Sequence, residues 1–347
     1  MKALIDRLAS EHRLEREEYR ALIENRSPEL AAYAASAASA CRQTFYGSAV
    51  YIRGLIEIGN VCRNDCLYCG IRRSNGRCVR YTLSPEEILE CCREGYGLGF
   101  RTFVMQGGEG GWHSDDAMCR LIETIRTRFP DCAITLSLGE RSRDVYQRFF
   151  DAGADRYLLR HETADRAHYR SLHPESMSFD NRMRCLRDLK DIGYQTGCGF
   201  MVGSPGQTAA HLAEDLKFIE RFRPHMVGIG PFIPQKDTPL GTCPAGSVEL
   251  TVYLLSLIRL IAPNVLLPAT TALGTLDPMG REKGILAGAN VVMPNLSPPS
   301  VRNKYALYDN KISDGAESAQ CVAELRRRMA AIGYQVVTDR GDAKQFF

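Results

Sequence analysis

The chain has 347 residues, 44% hydrophobic and 24% charged, a globular composition that excludes a disordered or fibrous protein. Its 44 Lys and Arg against 41 Asp and Glu leave only +3, and the one dense basic run, Arg326-Arg327-Arg328, adjoins apolar positions of a predicted helix, so no nucleic-acid surface is expected. No apolar stretch reaches the roughly 18 residues of a membrane span, because Arg259 interrupts the longest candidate, Tyr253 to Leu267, and charges at Asp6 and from Glu11 to Arg20 break any export signal. A soluble, cytoplasmic protein is expected.

Residues 1–47 read as a helical extension, charged and amphipathic from Lys2 to Asn25 and alanine-rich from Ser27 to Cys41. Eight strand candidates follow, each with room for a helix after it: Tyr51 to Ile58, Arg101 to Gln106, Ala133 to Leu138, Arg156 to His161, Gln195 to Val202, Met226 to Ile229, Val265 to Thr270, and Ala289 to Met293. Helix starts are marked at Ser84-Pro85-Glu86-Glu87, Ser114-Asp115-Asp116 and Ser178-Phe179-Asp180. Eight βα repeats over 48–300 predict a complete (βα)8 TIM-type barrel, with 301–347 closing and flanking it. An open doubly wound sheet is disfavoured by the count and by the lack of a Gly-x-Gly-x-x-Gly turn. In such a barrel the chemistry belongs at the C-terminal strand ends, where the unusual residues indeed fall.

Thirteen cysteines in a long chain without an export signal favour free thiols and metal ligation over disulfides. Three of them, Cys62, Cys66 and Cys69, form a C-x3-C-x2-C run in the loop after the first strand. A structural zinc site wants four ligands, and the only nearby fourth, Cys78, has no paired spacing. A [4Fe-4S] cluster held by three cysteines instead leaves one iron open to a ligand. Cys91, Cys92, Cys119, Cys132, Cys185 and Cys198 are expected to be small core residues.

Gly107 and Gly108 of Gln106-Gly107-Gly108-Glu109 let the backbone approach a ligand, although a plain βα turn also uses glycine. Arg160 and Glu162 stand two apart on a predicted strand, hence on one face, where buried charge is costly unless it binds something. An internal ion pair is the alternative, and His161, facing the other way, is expected to be structural. Thr270 and Thr271 end the seventh strand, where they could cradle an anion or cap the next helix.

The cysteine spacing, with Tyr68 just before the last thiol, resembles the radical S-adenosylmethionine (SAM) superfamily. Tyr51 to Glu57, Thr135 to Glu140, Tyr157 to Thr163, Val227 to Pro234, Pro268 to Ala272 and Met293-Pro294-Asn295 narrow the resemblance to the [FeFe]-hydrogenase maturases of the HydE family, from about residue 45 onward. Methylornithine synthase and biotin synthase share the barrel, so fold alone does not choose among them.

The resemblance implies one [4Fe-4S] cluster on Cys62, Cys66 and Cys69, whose open iron binds SAM and whose electron generates a 5′-deoxyadenosyl radical. It implies SAM contacts from Tyr68, Gln106, Gly107, Gly108, Thr135, Ser137, Arg160, Glu162 and Arg182, with Tyr305 on the adenine. Thr270, Thr271, Met293 and Tyr308 would line the substrate end. The implied partners are a small-molecule or organometallic iron substrate, an electron donor such as a ferredoxin or flavodoxin, and transiently the other maturases. The implied reaction serves assembly of the bridging dithiolate of the two-iron cofactor. An iron-sulfur carrier or scaffold is the non-enzyme alternative. Some family members hold a second cluster on three cysteines, at positions matching Ser313, Cys321 and Glu324 here; with one thiolate left, no second cluster is expected.

Overall fold

The computed structural model describes residues 1–313 and 315–344. Three helices come first: α1 (Lys2–Glu11), α2 (Arg16–Glu24) and α3 (Pro28–Tyr46). The charged stretch, read from the sequence as one unit, breaks in two because His12 caps α1 in the left-handed region and Glu15 with Glu18 forms a capping box for α2. The alanine-rich helix runs on to Tyr46, past the expected Cys41.

Among the described residues eleven short strands follow: β1 (Ala49–Ile52), β2 (Gly54–Gly59), β3 (Thr102–Gly107), β4 (Ala133–Ser137), β5 (Arg156–Leu158), β6 (Gln195–Cys198), β7 (Met201–Val202), β8 (Met226–Val227), β9 (Gly230–Pro231), β10 (Val291–Val292) and β11 (Gln335–Val337). Every strand pairing is parallel, in the order β2-β3-β4-β5-β6-β8, with β10-β1-β11 and β7-β9 as smaller sheets. The first and fifth predicted strands thus each split in two, while the sixth ends at Val227 with β9 just beyond the predicted range. Gly199 shows one cause: at φ +158° its hydrogen lies where a Cβ would be 2.0 Å from the Gly228 carbonyl, so the break between β6 and β7 is a close backbone crossing.

The seventh candidate, Val265 to Thr270, makes single parallel bridges, Leu266 with Met226 and Pro268 with Val291. Pro268 has no N–H to give a ladder, and the Leu267 N–H goes to the Asn290 side chain at 2.8 Å. A further bridge joins Leu55 to Asn295. The strand β11 has no counterpart among the predicted ones; it pairs with β1 from the far end of the chain.

The predicted helix starts are caps. Ser84, Ser114 and Ser178 accept from the N–H groups of Glu87, Ala117 and Asn181. The segment that Arg259 interrupts holds a core helix, Val248–Ile261, and Arg259 is wholly buried, donating to the carbonyls of Gly288, Pro263 and Val265. Among the described residues no helix is long and apolar enough to cross a membrane.

Alternation along the strands sorts residues onto two faces. Ile56, Ile58, Phe103, Met105, Ile134, Leu136, Tyr157 and Val227 join the main core with the helices. The other face carries Arg53, Glu57, Thr102, Gln106, Thr135, Ser137, Arg156 and Gln195. A packed barrel interior is built of branched apolar side chains, and this face departs from that by carrying these polar groups beside Leu55, Val104 and Leu158.

The end of that face at Thr102, Arg156 and Gln195 is covered by the tail, residues 338–344. The Arg340 carbonyl accepts from Thr102 and Arg156, and the Arg340 guanidinium pairs with Asp155 at 3.0 Å. Asp342 pairs with the fully buried Arg156 at 2.5 Å and accepts from Gln195 at 2.8 Å.

Candidate active site at the cysteine loop

The cysteine loop leaves β2 and is clamped against the loop after β3. Cys62 bridges to Gly110, and the Arg63 N–H donates to the Glu109 carbonyl at 2.9 Å. Contact is close because glycine stands opposite: a Cβ on Gly108 or Gly111 would lie 2.0 or 1.8 Å from the Val61 carbonyl. Glu109 ties three loops together, pairing with Arg63 at 2.7 Å and accepting the Glu140 N–H at 2.7 Å. Tyr68 anchors the far side. His173 donates from Nδ1 to the Tyr169 carbonyl at 2.9 Å, which leaves Nε2 to accept the Tyr68 hydroxyl at 3.2 Å. Burial lowers the His173 pKa to about 3, so it stays neutral in that role.

The three cysteines are half-buried. Burial first, and then their mutual proximity, raises the thiol pKa values of Cys66 and Cys69, the latter to about 12. Such thiols ionise when a metal supplies positive charge. Among the described residues no three Cys, His, Asp or Glu side chains converge as around one ion. A structural zinc wants four ligands at one point, whereas in a cubane each thiolate takes a different iron.

Arg160 and Glu162 lie beyond β5, so their meeting does not come from strand alternation. Glu162 sits in the left-handed region at φ +65°, fixed by its N–H to the Gly199 carbonyl at 3.0 Å. Their charges face each other at 3.0 Å, yet off hydrogen-bond alignment. Arg160 Nε and Nη2 and Glu162 Oε2 are buried with no hydrogen-bond partner among the described residues, as is the Thr135 hydroxyl of β4. Strain and unsatisfied polar atoms together mark a place where a ligand completes the bonding. The residues therefore fit a polar cofactor such as SAM beside the cysteine loop.

Arg182 is committed differently. It pairs with Glu140 at 2.6 Å and donates to the Arg160 carbonyl at 2.5 Å, so it sets where Arg160 stands. His161 faces the helices, taking the Gly199 N–H on Nδ1 at 3.2 Å and donating to Asp215 at 3.2 Å. Gln106 donates to the buried Tyr305 hydroxyl at 3.4 Å, and Ser137 is its neighbour across the β3-β4 ladder.

At the substrate end, Thr270 opens the helix Thr271–Leu276 but makes no side-chain cap, and its hydroxyl is buried and unpartnered. Thr271 donates to Glu317 at 3.1 Å. Met293 packs in an apolar group with Tyr51, Met226, Leu266 and Val291. Tyr305 and Tyr308 line an opening of about 570 Å³ between the cysteine loop and residues 302–311.

Sequence reading missed two buried charges of the inner face. Glu57 is fully buried, paired with Lys311 at 2.6 Å and accepting from Asn295 at 2.9 Å. Arg53 is as deeply placed, with Nη1 on the Met226 sulfur and two nitrogens unpartnered. The available signal was a lone charge inside an apolar strand, as in Ile56-Glu57-Ile58.

The comparisons agree with this geometry. The Radical SAM superfamily model matches residues 56–219. The [FeFe] hydrogenase maturase subunit HydE of Thermotoga maritima is 44% identical over 88% of this chain and 87% of its own length. The chain belongs to the HydE family of radical SAM enzymes. The 3-methylornithine synthase of Methanosarcina barkeri is 28% identical over 95% of this chain and 93% of its own. The crystal structure of methylornithine synthase (PylB) superposes with a TM-score of 0.85 at 26% identity, covering 96% of this chain and 97% of that one. The parallel, TIM-barrel-like α/β fold is therefore common to the HydE family and its methylornithine synthase relatives.

Proposed function

We propose that this HydE-family enzyme serves assembly of the bridging dithiolate of the hydrogenase two-iron cofactor. The observation that carries the reading is the unsatisfied polar set at Thr135, Arg160 and Glu162 beside three cysteines, in a chain whose 44% identity to a HydE covers nearly its whole length. An iron-sulfur carrier has no use for that set. Methylornithine synthase chemistry shares the fold, but the likeness there is 28%.

Cys62, Cys66 and Cys69 hold the cluster in this reading, and Glu162, Arg160, Thr135, Ser137 and the Gln106-Gly107-Gly108 turn hold SAM. When bound, these groups supply a 5′-deoxyadenosyl radical by one-electron cleavage of the sulfonium. The chain's own work is to orient and to exclude water, with Arg182 and Glu140 fixing Arg160, and Tyr68 fixing the loop. The single bridges at Leu266, Pro268 and Asn295 support closure of the parallel strands into a complete eight-stranded barrel. The small-molecule or organometallic substrate would lie toward Thr270, Thr271 and Tyr308.

Anaerobically reconstituted, dithionite-reduced protein should form 5′-deoxyadenosine and methionine, and should raise hydrogenase maturation in extracts lacking HydE. Cleavage without any gain in maturation would favour the methylornithine or biotin synthase type of chemistry. Glu162→Gln should weaken SAM binding while the melting temperature stays near that of the parent, because Glu162 has no aligned internal bond to lose. A large fall in melting temperature with unchanged affinity would make Arg160 and Glu162 a structural pair.

A single cluster is part of the proposal. Ser313 is engaged with Asn303 at 3.3 Å and Glu324 pairs with Arg327, so Cys321 is the one soft ligand of that segment. Cys321→Ser should leave the iron content at about four per chain, the content of one cubane. Loss of iron in that variant would reveal a second site.

A further inference from the structure

Asp215 is a carboxylate where packing asks for an apolar side chain. It lies on the helix Ala209–Phe222 among the buried Leu212, Ala213, Leu216 and Ile219, the one charged residue of that set. It is wholly buried, and among the described residues its charged side chain faces no Lys or Arg, only His161. A buried carboxylate without a cation is costly, and alanine or leucine would fill the place without that cost. Its hydrogen bonds show what the carboxylate does there.

One oxygen, Oδ1, takes two donors. The Ala164 N–H reaches it at 2.5 Å and His161 Nε2 at 3.2 Å. These residues stand on either side of Glu162, so a single atom of the helix grips both arms of the turn that carries the Glu162 carboxylate. The grip continues through the imidazole. His161 Nδ1 accepts the Gly199 N–H at 3.2 Å, and the Gly199 carbonyl in turn accepts the Glu162 N–H at 3.0 Å. Glu162 occupies the left-handed region, which a residue other than glycine leaves unless its surroundings hold it there. Burial lowers the His161 pKa to about 3 and pushes the Asp215 carboxyl up, so the link is a hydrogen bond from a neutral ring rather than an ion pair.

We infer that Asp215 is a positioning residue: by holding His161 and Ala164 on one oxygen, it keeps Glu162 in the turn that presents its carboxylate beside Arg160 at the SAM site. The inference rests on the reading of Glu162 as a SAM contact. Arg160 has its own brace in Arg182 and Glu140. Asp215 is the corresponding brace for Glu162.

The test uses the full chain, anaerobically reconstituted, with SAM as the probe and Asp215→Ala, Asp215→Asn and Glu162→Gln as variants. SAM affinity measured by calorimetry should fall about tenfold or more in Asp215→Ala, the scale of one lost hydrogen bond to a charged group. Amide exchange at residues 161–164 should quicken in that variant, while exchange in the core strands stays near the parent's. Asp215→Asn should restore most of the affinity, because its amide oxygen accepts the same two N–H groups. In the Glu162→Gln background Asp215→Ala should weaken binding little further, since it acts through a carboxylate already lost. Parent affinity and parent exchange in Asp215→Ala, or equal losses in both backgrounds, would overturn the inference. Should Asp215→Ala not fold, His161→Phe cuts one of the two links while its ring keeps the packing against Phe200 and Phe218. It should weaken SAM binding too, and parent affinity there would equally overturn the inference. A Glu162→Gln protein with parent affinity would instead refute the SAM role of Glu162, and the exchange rates would still judge the grip of Asp215.

Discussion

Cys66→Ala should fold yet lose both the low-temperature EPR signal of the reduced cluster and all SAM cleavage. Cys66 is half-buried, and its sulfur contacts Met177 at 3.6 Å. The loop around it is held by other means, namely Arg63 with Glu109, Tyr68 with His173, and the Leu67 N–H on the Leu172 carbonyl at 3.0 Å. Removing the sulfur therefore spares the clamp and removes one iron ligand, and two thiolates do not keep a cubane in place. Circular dichroism should match the parent while iron content collapses. Full cleavage activity in the variant would end the radical SAM reading of this loop.

Asp342→Asn should destabilise the fold by about 2–3 kcal/mol, below the range for a fully buried pair because Asp342 itself is 40% exposed. The cost arises on the other partner. Arg156 is wholly buried, its Nε has no partner, and Asp342 is the carboxylate that offsets its charge. Arg156 and the neighbouring Arg340 hold the Asp342 carboxyl far below the usual range, against the effect of burial. Because the folded value is depressed, the contribution is fully present above about pH 4, the unfolded value for aspartate, and fades as pH falls below it. Urea unfolding at pH 7 and pH 3 should show the difference between parent and variant shrinking at the lower pH. An unchanged midpoint at pH 7 would mean that the tail does not brace the sheet.

The fold was legible in outline because its signals are local. Serine caps, strand runs and the order of βα units follow from neighbouring residues, and Ser84, Ser114 and Ser178 all cap as read. The strand breaks were not legible, since they arise where distant backbones cross, as Gly199 does over Gly228. The pairing of β11 with β1 joins residues nearly 290 apart, which no local pattern encodes. At the site, the cysteines were legible from spacing. The juxtaposition of Arg160 with Glu162 was anticipated for the wrong reason, because the strand ends at Leu158 and a left-handed Glu162 brings them together. Glu57 and Arg53 went unassigned because a charge in an apolar strand shows its partner, or the lack of one, only in three dimensions.

The position of β1 between β10 and β11 also bears on how the chain is made. Both of its neighbours are synthesised last: Val291 and Val337 follow Ile52 by most of the chain's length. At about 5–20 residues per second, roughly 15–60 s pass on the ribosome before Val337 has been added. Through that interval both edges of β1 offer unpaired N–H and C=O groups next to the apolar Val50 and Ile52. Chains released early would keep this edge open. Their expected fate is intermolecular strand pairing, so premature termination before Gln335 should produce aggregates rather than a slightly weakened enzyme.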